Sequence, residues 1–415
     1  MESVWKDLRD EIESSISIGM LAKTNRTRIP CPFHNSVAPD MQILHHENKW
    51  RCWGKCSSTH PGKRSIFDWV MLEQGVDFGA AFKILAEEAG ISVAPNKERT
   101  KILSEVQDFY YEELQTNDKA KAYLTRRGFG DQLIFQRRLG FASSDSMPPV
   151  SIRDLDRVGL MVPGMYGPYL HFQDRLVYPV YDMKYNLVQM QGRLIAPARN
   201  ESTPKYKALP EDKVELRGRS IYQCLAGEEL LKRTDIKDII LCEGWPDRET
   251  LFAWGFNSVS LFGNKGISRH AHKFKNVERI HVILDPDEAS QSHVLNELYT
   301  LQCRLPEVDI RNVKLDTDGM DLNDWAVSGR VGQPLGRFGN TDKIEQLQIM
   351  LNNSKPLLED LVDTWASNRS YWQMLLSAIS CSPDSERYVA QFATAVNEST
   401  HTVKFAMNMV AGDNQ

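Results

Sequence analysis

From residue 236 onward the chain alternates short β-rich runs with segments of helical periodicity. The β-rich runs DIILC, NSVSLF, ERIHVIL and VDIRNVKL are separated by segments such as RETLFAWGF and SHVLNELYTLQCRL. This alternation predicts βαβ units, which build a parallel sheet covered by helices. We therefore expect a compact α/β core over residues 236–328.

Acidic residues follow three of the predicted strands. They are Glu243 and Asp247 after DIILC, Asp285 and Asp287 after ERIHVIL, and Asp321 after VDIRNVKL. The carboxyl ends of parallel strands meet at one edge of an open α/β sheet, where such sheets form their sites. Carboxylates bind Mg²⁺ together with substrate phosphates, so the pattern indicates metal-assisted phosphoryl or nucleotidyl transfer. One Asp-x-Asp at a strand end is often only a solvated turn, but three acidic strand ends favour a metal site.

Two pairs of zinc-type ligands lie near the N-terminus. Cys31 and His34 form the first pair, and Cys52 and Cys56 form the second pair after an interval of 17 residues. Tetrahedral Zn²⁺ is bound by such closely spaced pairs, and four protein ligands leave no position open for water. The spacing therefore predicts one structural zinc ion in a small ribbon-like module.

Changes of pattern divide the chain into four regions. The segments IFDWVMLEQG and FGAAFKILAEEAG predict two amphipathic helices that end at Gly75 and Gly90. The polar stretch SVAPNKERT predicts a linker, and RLVYPVYD with LVQMQGRLI predicts a β-hairpin around KYN. The expected regions are a zinc-binding domain at 1–95, a mixed α and β subdomain at 101–235, the parallel-sheet core at 236–328 and a helical region at 341–415.

Composition restricts where the protein works and what it can bind. The seven cysteines are odd in number and mostly scattered, which fits a reducing compartment. No apolar run approaches the roughly 18 residues that span a bilayer, so we expect a cytoplasmic protein without a membrane segment. The net charge of −5 excludes a generally basic surface, so any nucleic-acid site must be a local patch. Basic clusters at 121–140 and 184–207 are candidates for such a patch. Trp50, Arg51, Trp53 and Lys55 beside the second cysteine pair also offer aromatic faces and charge to a single strand, although these aromatic residues could equally cover the metal core.

Several motifs resemble one family in the same order. EGxxD at 243–247, DxD at 285–287 and the later Asp321 resemble the Toprim fold, which DnaG-type primases share with type IA and II topoisomerases and some nucleases. CPFH with the later cysteine pair resembles the zinc-binding domain of bacterial and phage DnaG-type primases. The segments YLTRRGFGDQLIFQRRLGFA, DRLVYPV, QGRLI, PKY and RGRSIY resemble their RNA-polymerase domain.

The resemblance implies a fold and an activity. The fold is a multidomain α/β protein with an N-terminal zinc ribbon, a mixed α+β subdomain, a Toprim parallel-sheet core and a helical C-terminal tail. The activity is that of a DNA primase, a DNA-directed RNA polymerase that makes short RNA primers on single-stranded DNA by two-metal nucleotidyl transfer. Besides one structural Zn²⁺ ion, two or more Mg²⁺ or Mn²⁺ ions would be bound by Glu243, Asp285 and Asp287, with Asp247 and Asp321 assisting.

The same resemblance implies substrates and partners. They are a single-stranded DNA template, ribonucleoside triphosphates and a replicative helicase on a separate chain, since the sequence has no G-x-x-x-x-G-K-[ST] phosphate loop. The location would be the bacterial cytoplasm, or the host cytoplasm if a phage encodes the protein. The region 341–415 is a candidate helicase-docking element, with a packed structural domain as the alternative. Basic residues that would face template phosphates or the incoming nucleotide are Arg175, Arg193, Lys205, Arg217 and Arg219.

The sequence also departs from the family pattern and leaves two alternatives. The second cysteine pair is CxxxC where the family usually has CxxC, and EAS follows the DxD motif where the family usually has Ala-Gly. A Toprim nuclease is the first alternative, because the same metals activate water, although the zinc module argues against it. A non-catalytic adapter that binds single-stranded DNA is the second. The intact carboxylates argue against the adapter, because buried like charges without a metal are costly.

Overall fold

The computed structural model describes the greater part of the chain. The described residues are 2–34, 36–59, 61–89, 97–164, 167–195, 203–210, 215–216, 218–263, 266–285, 291–315, 319–329, 332–336, 340–382 and 384–412. Gly90, Arg217 and Asp287, which the sequence analysis names, lie outside these residues. Among the described helices, none combines the length and the apolar character needed to cross a bilayer.

The N-terminal module combines a small antiparallel sheet with helices. Its elements are α1 (Glu2–Ser15), α2 (Ile18–Leu21), β1 (Arg28–Ile29), β2 (Met41–Leu44), β3 (Lys49–Cys52), α3 (Cys56–Thr59), α4 (Ile66–Gln74) and α5 (Phe78–Glu88). The strand order is β1-β2-β3, and Trp50 and Phe67 lie in the module's hydrophobic core. Helix α4 begins with a capping box between Ser65 and Asp68. It ends at Gly75, whose φ of 66° lies in the left-handed region that glycine favours, so the predicted end of this helix is confirmed.

The second region is built on an antiparallel sheet. Its elements are α6 (Lys97–Thr116), α7 (Asp118–Arg126), α8 (Asp131–Arg137), β4 (Gly140–Ala142), α9 (Ile152–Arg157), β5 (Met161–Val162), β6 (Tyr169–Leu170), β7 (Arg175–Tyr181), β8 (Leu187–Leu194) and β9 (Tyr206–Ala208). The main sheet has the order β4-β7-β8-β9, and β5 pairs with β6. The predicted hairpin is confirmed. Its turn is closed by the Asp182 carboxylate, which accepts hydrogen bonds from the backbone N–H groups of Lys184 and Asn186 at 2.8 and 2.9 Å.

Helix α6 begins earlier than the sequence pattern predicts. Its first residue is Lys97, so the end of the predicted linker is helical. Arg99 in the first turn is buried, and its guanidinium donates hydrogen bonds to the carbonyls of Val158 and Leu216 at 3.1 and 2.7 Å. These bonds attach the start of the helix to residues far along the chain, which a local polar pattern does not reveal.

The third region is the predicted parallel-sheet core. Its elements are β10 (Asp238–Cys242), α10 (Trp245–Trp254), β11 (Ser258–Ser260), β12 (Arg279–Ile283), α11 (Gln291–Arg304), β13 (Asp309–Asn312) and α12 (Leu322–Val327). Strands β11, β10, β12 and β13 are parallel neighbours in that order. The apolar residues of β10 and β12 are buried, as expected for strands that are covered on both faces.

The C-terminal region is helical and packs against this sheet. Its elements are α13 (Thr341–Asn352), β14 (Lys355–Pro356), α14 (Leu357–Trp365), α15 (Trp372–Cys381), α16 (Ser385–Val396) and α17 (Thr400–Gly412). The short strand β14 extends the sheet by pairing antiparallel to β13. Leu361 and Phe392 share one hydrophobic core with Val282 and Leu298. The fold class predicted from the sequence is therefore confirmed, with the helical tail joined to the parallel-sheet core by common packing.

A chain of ion pairs attaches helix α1 to the rest of the protein. The guanidinium of Arg219 lies 3.3 Å from the Glu11 carboxylate and 3.5 Å from the Glu228 carboxylate. The ammonium group of Lys273 is 2.7 Å from Glu228, and both side chains are almost fully buried. Because Arg219 pairs with both Glu11 and Glu228, this network links α1 to the core. Removing Glu228 would leave the buried charge of Lys273 uncompensated.

Candidate active site and zinc centre

Four side chains converge at one end of the N-terminal sheet. Cys31 follows β1, His34 lies in a short 3-10 turn, Cys52 ends β3 and Cys56 begins α3. Their donor atoms all lie within 4.8 Å of one another, and no other described His, Cys, Asp or Glu set of three or more converges this way. The sulfurs of Cys31 and Cys56 are 3.7 Å apart. Two sulfurs at about 2.3 Å from a tetrahedral zinc ion would be about 3.8 Å apart, so the donor set fits one structural zinc ion.

Replacing Cys31 or Cys56 by serine should release this zinc ion. A serine hydroxyl does not replace a thiolate ligand, and a structural zinc site contributes directly to the folding of its module. Metal content per chain, measured by atomic emission, should fall from one ion to nearly none. Glu73→Gln changes an exposed carboxylate in the same module and should keep its zinc. Full zinc content in both cysteine variants would refute the assignment.

The predicted acidic residues that the structure describes lie at the carboxyl edge of the parallel sheet. Glu243 follows β10, Asp247 lies in the first turn of α10, Asp285 lies two residues beyond β12, and Asp321 is the N-cap of α12. The backbone N–H of Asp285 donates to the carboxylate of Glu243 at 3.4 Å. The segments that follow β10 and β12 are therefore in direct contact. This proximity is needed if Glu243 and Asp285 are to bind the same metal ions.

Asp247 is the most enclosed of these carboxylates. Burial raises the pKa of Asp247 to about 8, and the neighbouring carboxylates of Asp321 and Asp285 contribute to the increase. The backbone N–H of Asn323 donates to one Asp247 oxygen at 3.0 Å and acts in the opposite direction. A divalent cation would relieve the repulsion among these oxygens, so the donor set fits Mg²⁺ or Mn²⁺.

Arg127 of the mixed subdomain contacts the segment that carries Asp321. Its guanidinium donates to the side-chain oxygen of Asn323 at 2.8 Å and to the carboxylate of Asp324 at 2.6 Å. Asn323 is fully buried, and its own backbone N–H is the group that bonds to Asp247. Neither Arg127 nor Asn323 is predicted individually from the sequence. Arg127 belongs to the RRGF segment of the motif at 123–142, and this segment is the sequence feature that could have indicated it.

Arg193 is a predicted nucleotide-binding residue whose charge acts on this segment. It is buried, donates a hydrogen bond to the Tyr206 hydroxyl, and lies 5.5 Å from the ring centre of Tyr123. Burial raises the pKa of Asp324, whereas the charges of Arg127 and Arg193 act in the opposite direction. Positive charge from the mixed subdomain therefore lies beside the acidic edge, by which we mean the carboxyl edge of the parallel sheet with Glu243, Asp247, Asp285 and Asp321.

The other predicted phosphate-binding residues have different surroundings. The guanidinium of Arg175 donates to the carbonyls of Lys205 and Pro204 at 3.0 and 2.7 Å, and only 3% of the residue is exposed. Arg219 is occupied by Glu11 and Glu228 in the contact with α1. Lys205 is exposed, and Arg217 lies outside the described residues. Phosphate binding by these four residues stays a prediction, and Lys205 has the most accessible charge of the three that are described.

A second polar network holds helix α10 against the mixed subdomain. The Glu249 carboxylate accepts hydrogen bonds from the Tyr178 hydroxyl at 2.7 Å, from Arg248 at 2.7 Å and from Arg137 at 2.8 Å. Glu249 and Arg248 are completely buried. The Tyr178 ring also stacks on Trp245, with ring centres 4.9 Å apart. Because α10 carries Asp247, this network fixes the acidic edge relative to the basic residues beside it.

Comparison with known proteins finds similarity to DNA primases. The family of the DNA primase catalytic core, N-terminal domain, matches residues 109–226. A DNA primase of Clostridium acetobutylicum is 26% identical, over 77% of this chain and 55% of its own length. The chain is similar to DNA primases of the DnaG type. A DNA primase of Neisseria meningitidis is 24% identical, over 63% of this chain and 47% of its own length, so the chain spans about half the length of these two DNA primases.

Solved structures of DnaG-type primases have the same fold. The crystal structure of the Aquifex aeolicus primase, with its zinc-binding and RNA polymerase domains, matches with a TM-score of 0.56 and 21% identity. The match covers 96% of this chain and 98% of that chain, so the zinc module and the C-terminal helices both have counterparts in it. A DnaG primase catalytic domain bound to single-stranded DNA matches with a TM-score of 0.56 and 19% identity, over 74% of this chain and 98% of its own.

Proposed function

We propose that this protein is a DNA primase that synthesises short RNA primers on single-stranded DNA. The observation that carries the proposal is the enclosed carboxylate of Asp247, which lies among Asp321 and Asp285 and beside the basic residues Arg127 and Arg193. Oxygen ligands for a divalent cation and cations that bind phosphate are thus adjacent. Nucleotidyl transfer from a nucleoside triphosphate requires this combination.

The acidic edge supplies the ligands for the catalytic ions. The residues that would hold Mg²⁺ or Mn²⁺ are Glu243, Asp285 and Asp287, with Asp247 and Asp321 assisting. Bound ions of this kind activate a primer 3′-hydroxyl and neutralise charge on the leaving pyrophosphate. Asp247 is oriented for this task by the Asn323 backbone N–H, and Arg127 holds Asn323 in place. The two subdomains therefore position one carboxylate together.

Basic residues of the mixed subdomain and of the zinc module would bind the incoming nucleotide and the template. Arg193 is held by Tyr206, so its guanidinium is preorganised for a triphosphate, and the exposed Lys205 adds charge near it. In the zinc module, the exposed Trp53 carries the Arg51 guanidinium 3.8 Å from its ring centre. This pair offers an aromatic face and a charge to single-stranded DNA, the ligand of one of the similar catalytic domains.

A replicative helicase on a separate chain and a cytoplasmic location complete the proposal. Primer synthesis serves replication only where unwinding exposes single strands, which requires a helicase nearby. The C-terminal helices share their core with the parallel sheet, so a helicase would contact the exposed face of these helices, where Phe405 is 63% exposed.

A primer-synthesis assay tests the proposal. The protein is incubated with mixed-sequence single-stranded DNA, labelled ribonucleotides and Mg²⁺, and a matched reaction contains a chelator in place of the metal. Short metal-dependent oligoribonucleotides are the expected product. Metal-dependent shortening of the template would make the protein a nuclease. DNA binding without any product, in the presence of the cognate helicase, would support the non-catalytic adapter.

A further inference from the structure

Asp40 is hydrogen-bonded to both of the knuckles that carry the zinc ligands, and it is not a member of the ligand set itself. One carboxylate oxygen accepts a hydrogen bond from the His34 Nε2 at 3.0 Å, and the other accepts from the Cys31 backbone N–H at 3.3 Å. Its backbone carbonyl accepts from the Trp53 N–H at 2.8 Å, inside the second knuckle. A single residue therefore connects the two knuckles that supply the ligands.

The imidazole of His34 has a defined orientation between Asp40 and the thiols. Its Nδ1 lies 3.1 Å from the sulfur of Cys56 and 3.9 Å from the sulfur of Cys52, whereas its Nε2 points to Asp40. We infer that His34 binds zinc through Nδ1 and that Asp40 is the positioning residue that holds the ring in this orientation. Carboxylates that accept the second N–H of a metal-bound histidine fix the ring and increase its basicity. The inference rests on the zinc assignment and is independent of primer synthesis.

Gly54 provides the space for this arrangement. A Cβ atom at this position would lie 2.1 Å from the Asp40 carboxylate oxygen and 3.0 Å from the His34 Nε2. The φ angle of Gly54 lies outside the left-handed region, so alanine can adopt the same backbone conformation. The effect of Gly54→Ala would therefore come from the close contact of the added methyl group. The knuckle CWGKC is one residue longer than the usual CxxC, and its middle glycine passes directly over the Asp40–His34 pair.

Zinc affinity is the first test. Asp40→Ala should weaken zinc binding by the full-length protein about 10- to 100-fold in a competition titration with a chromophoric chelator. Asp40→Asn keeps the shape of the side chain but accepts a weaker hydrogen bond, so its loss should be smaller. Glu73→Gln removes a negative charge from the exposed face of α4 and should leave the affinity unchanged. Equal affinities for the wild type and Asp40→Ala would overturn the role of Asp40.

The binding nitrogen is the second test. In protein loaded with ¹¹³Cd and labelled with ¹⁵N-histidine, the metal should show scalar coupling to the Nδ1 of His34. Coupling to Nε2 would overturn the inference. In Asp40→Ala, the His34 resonances should broaden or split because the ring is no longer held.

A double-mutant cycle separates positioning from general damage to the module. Gly54→Ala alone should weaken zinc binding to a similar degree as Asp40→Ala, because the added methyl group displaces the carboxylate. In the Asp40→Ala background the same Gly54→Ala change should cost much less, since the clashing oxygen is gone. Equal losses in both backgrounds would contradict the proposed contact. These readouts use the metal alone, so their failure is distinguishable from a failure of the primase proposal.

Discussion

Replacing Asp247 by asparagine should lower primer synthesis about 1,000-fold, the equivalent of about 4 kcal/mol in the activation barrier. Asparagine has nearly the same shape and still accepts the hydrogen bond from Asn323. It lacks the negative charge that makes the carboxylate a strong ligand for a divalent cation. A primer-synthesis assay over a range of Mg²⁺ concentrations measures the loss, and additional Mg²⁺ should restore little activity.

The same substitution should stabilise the metal-free protein. The pKa of Asp247 in the folded state, about 8, lies above its value in the unfolded chain. The wild type therefore loses stability as pH rises from the unfolded-state pKa of Asp247 to its folded-state pKa. The asparagine variant has no titrating group at position 247 and does not show this loss. The difference in the free energy of unfolding should be larger at pH 8 than at pH 5, measured by urea unfolding with a chelator present. Added Mg²⁺ should narrow the difference, because the cation stabilises the ionised carboxylate.

Asp285→Asn is the matched control for this pair of effects. Asp285 lies at the same edge but is exposed, whereas Asp247 is buried. The variant should lose synthesis without a comparable gain in stability. An Asp247→Asn protein that keeps normal synthesis, or that is less stable than the wild type at pH 8 without metal, would contradict the assignment of Asp247 to the metal site.

Local sequence patterns predicted the features that depend on short segments. Cys31, His34, Cys52 and Cys56 form two closely spaced pairs, and each pair lies on one knuckle whose geometry is local. The parallel sheet follows from the alternation of strands and helices, and its carboxyl edge follows from the direction of the strands. These inferences need no knowledge of which distant residues meet.

Contacts between distant segments were not predictable in this way. Arg127 bonds to Asn323 across 196 residues, and neither residue has a local pattern that indicates the partner. Arg219 stands in a segment typical of nucleotide binding, yet its guanidinium is paired with Glu11, 208 residues away. Asp40 follows a turn-forming proline and is indistinguishable by sequence from a solvated loop residue. In each case the subdomain packing decides which charges meet.

The largest effect on stability is expected at Glu249. Replacing it by alanine removes the acceptor for Tyr178. It also leaves Arg248 and Arg137 with only their longer ion pairs to Glu229, at 3.9 and 3.4 Å. Arg248 is completely buried, so it cannot recover its hydration. Breaking a buried ion pair by removing one partner costs about 3–5 kcal/mol. Urea unfolding monitored by circular dichroism should show this loss in the free energy of unfolding.

Two further variants show whether the loss of stability in Glu249→Ala comes from the charge of Glu249 or from the packing around it. Tyr178→Phe removes one neutral donor while the ring still stacks on Trp245, so it should cost only about 1 kcal/mol. Glu386→Ala breaks an ion pair with Lys404 on the exposed face of α16, where the glutamate is 81% exposed, and should cost at most about 1 kcal/mol. If Glu249→Ala costs no more than Tyr178→Phe, the two arginines are not held by Glu249. Helix α10, and Asp247 with it, would then owe its position to apolar packing instead.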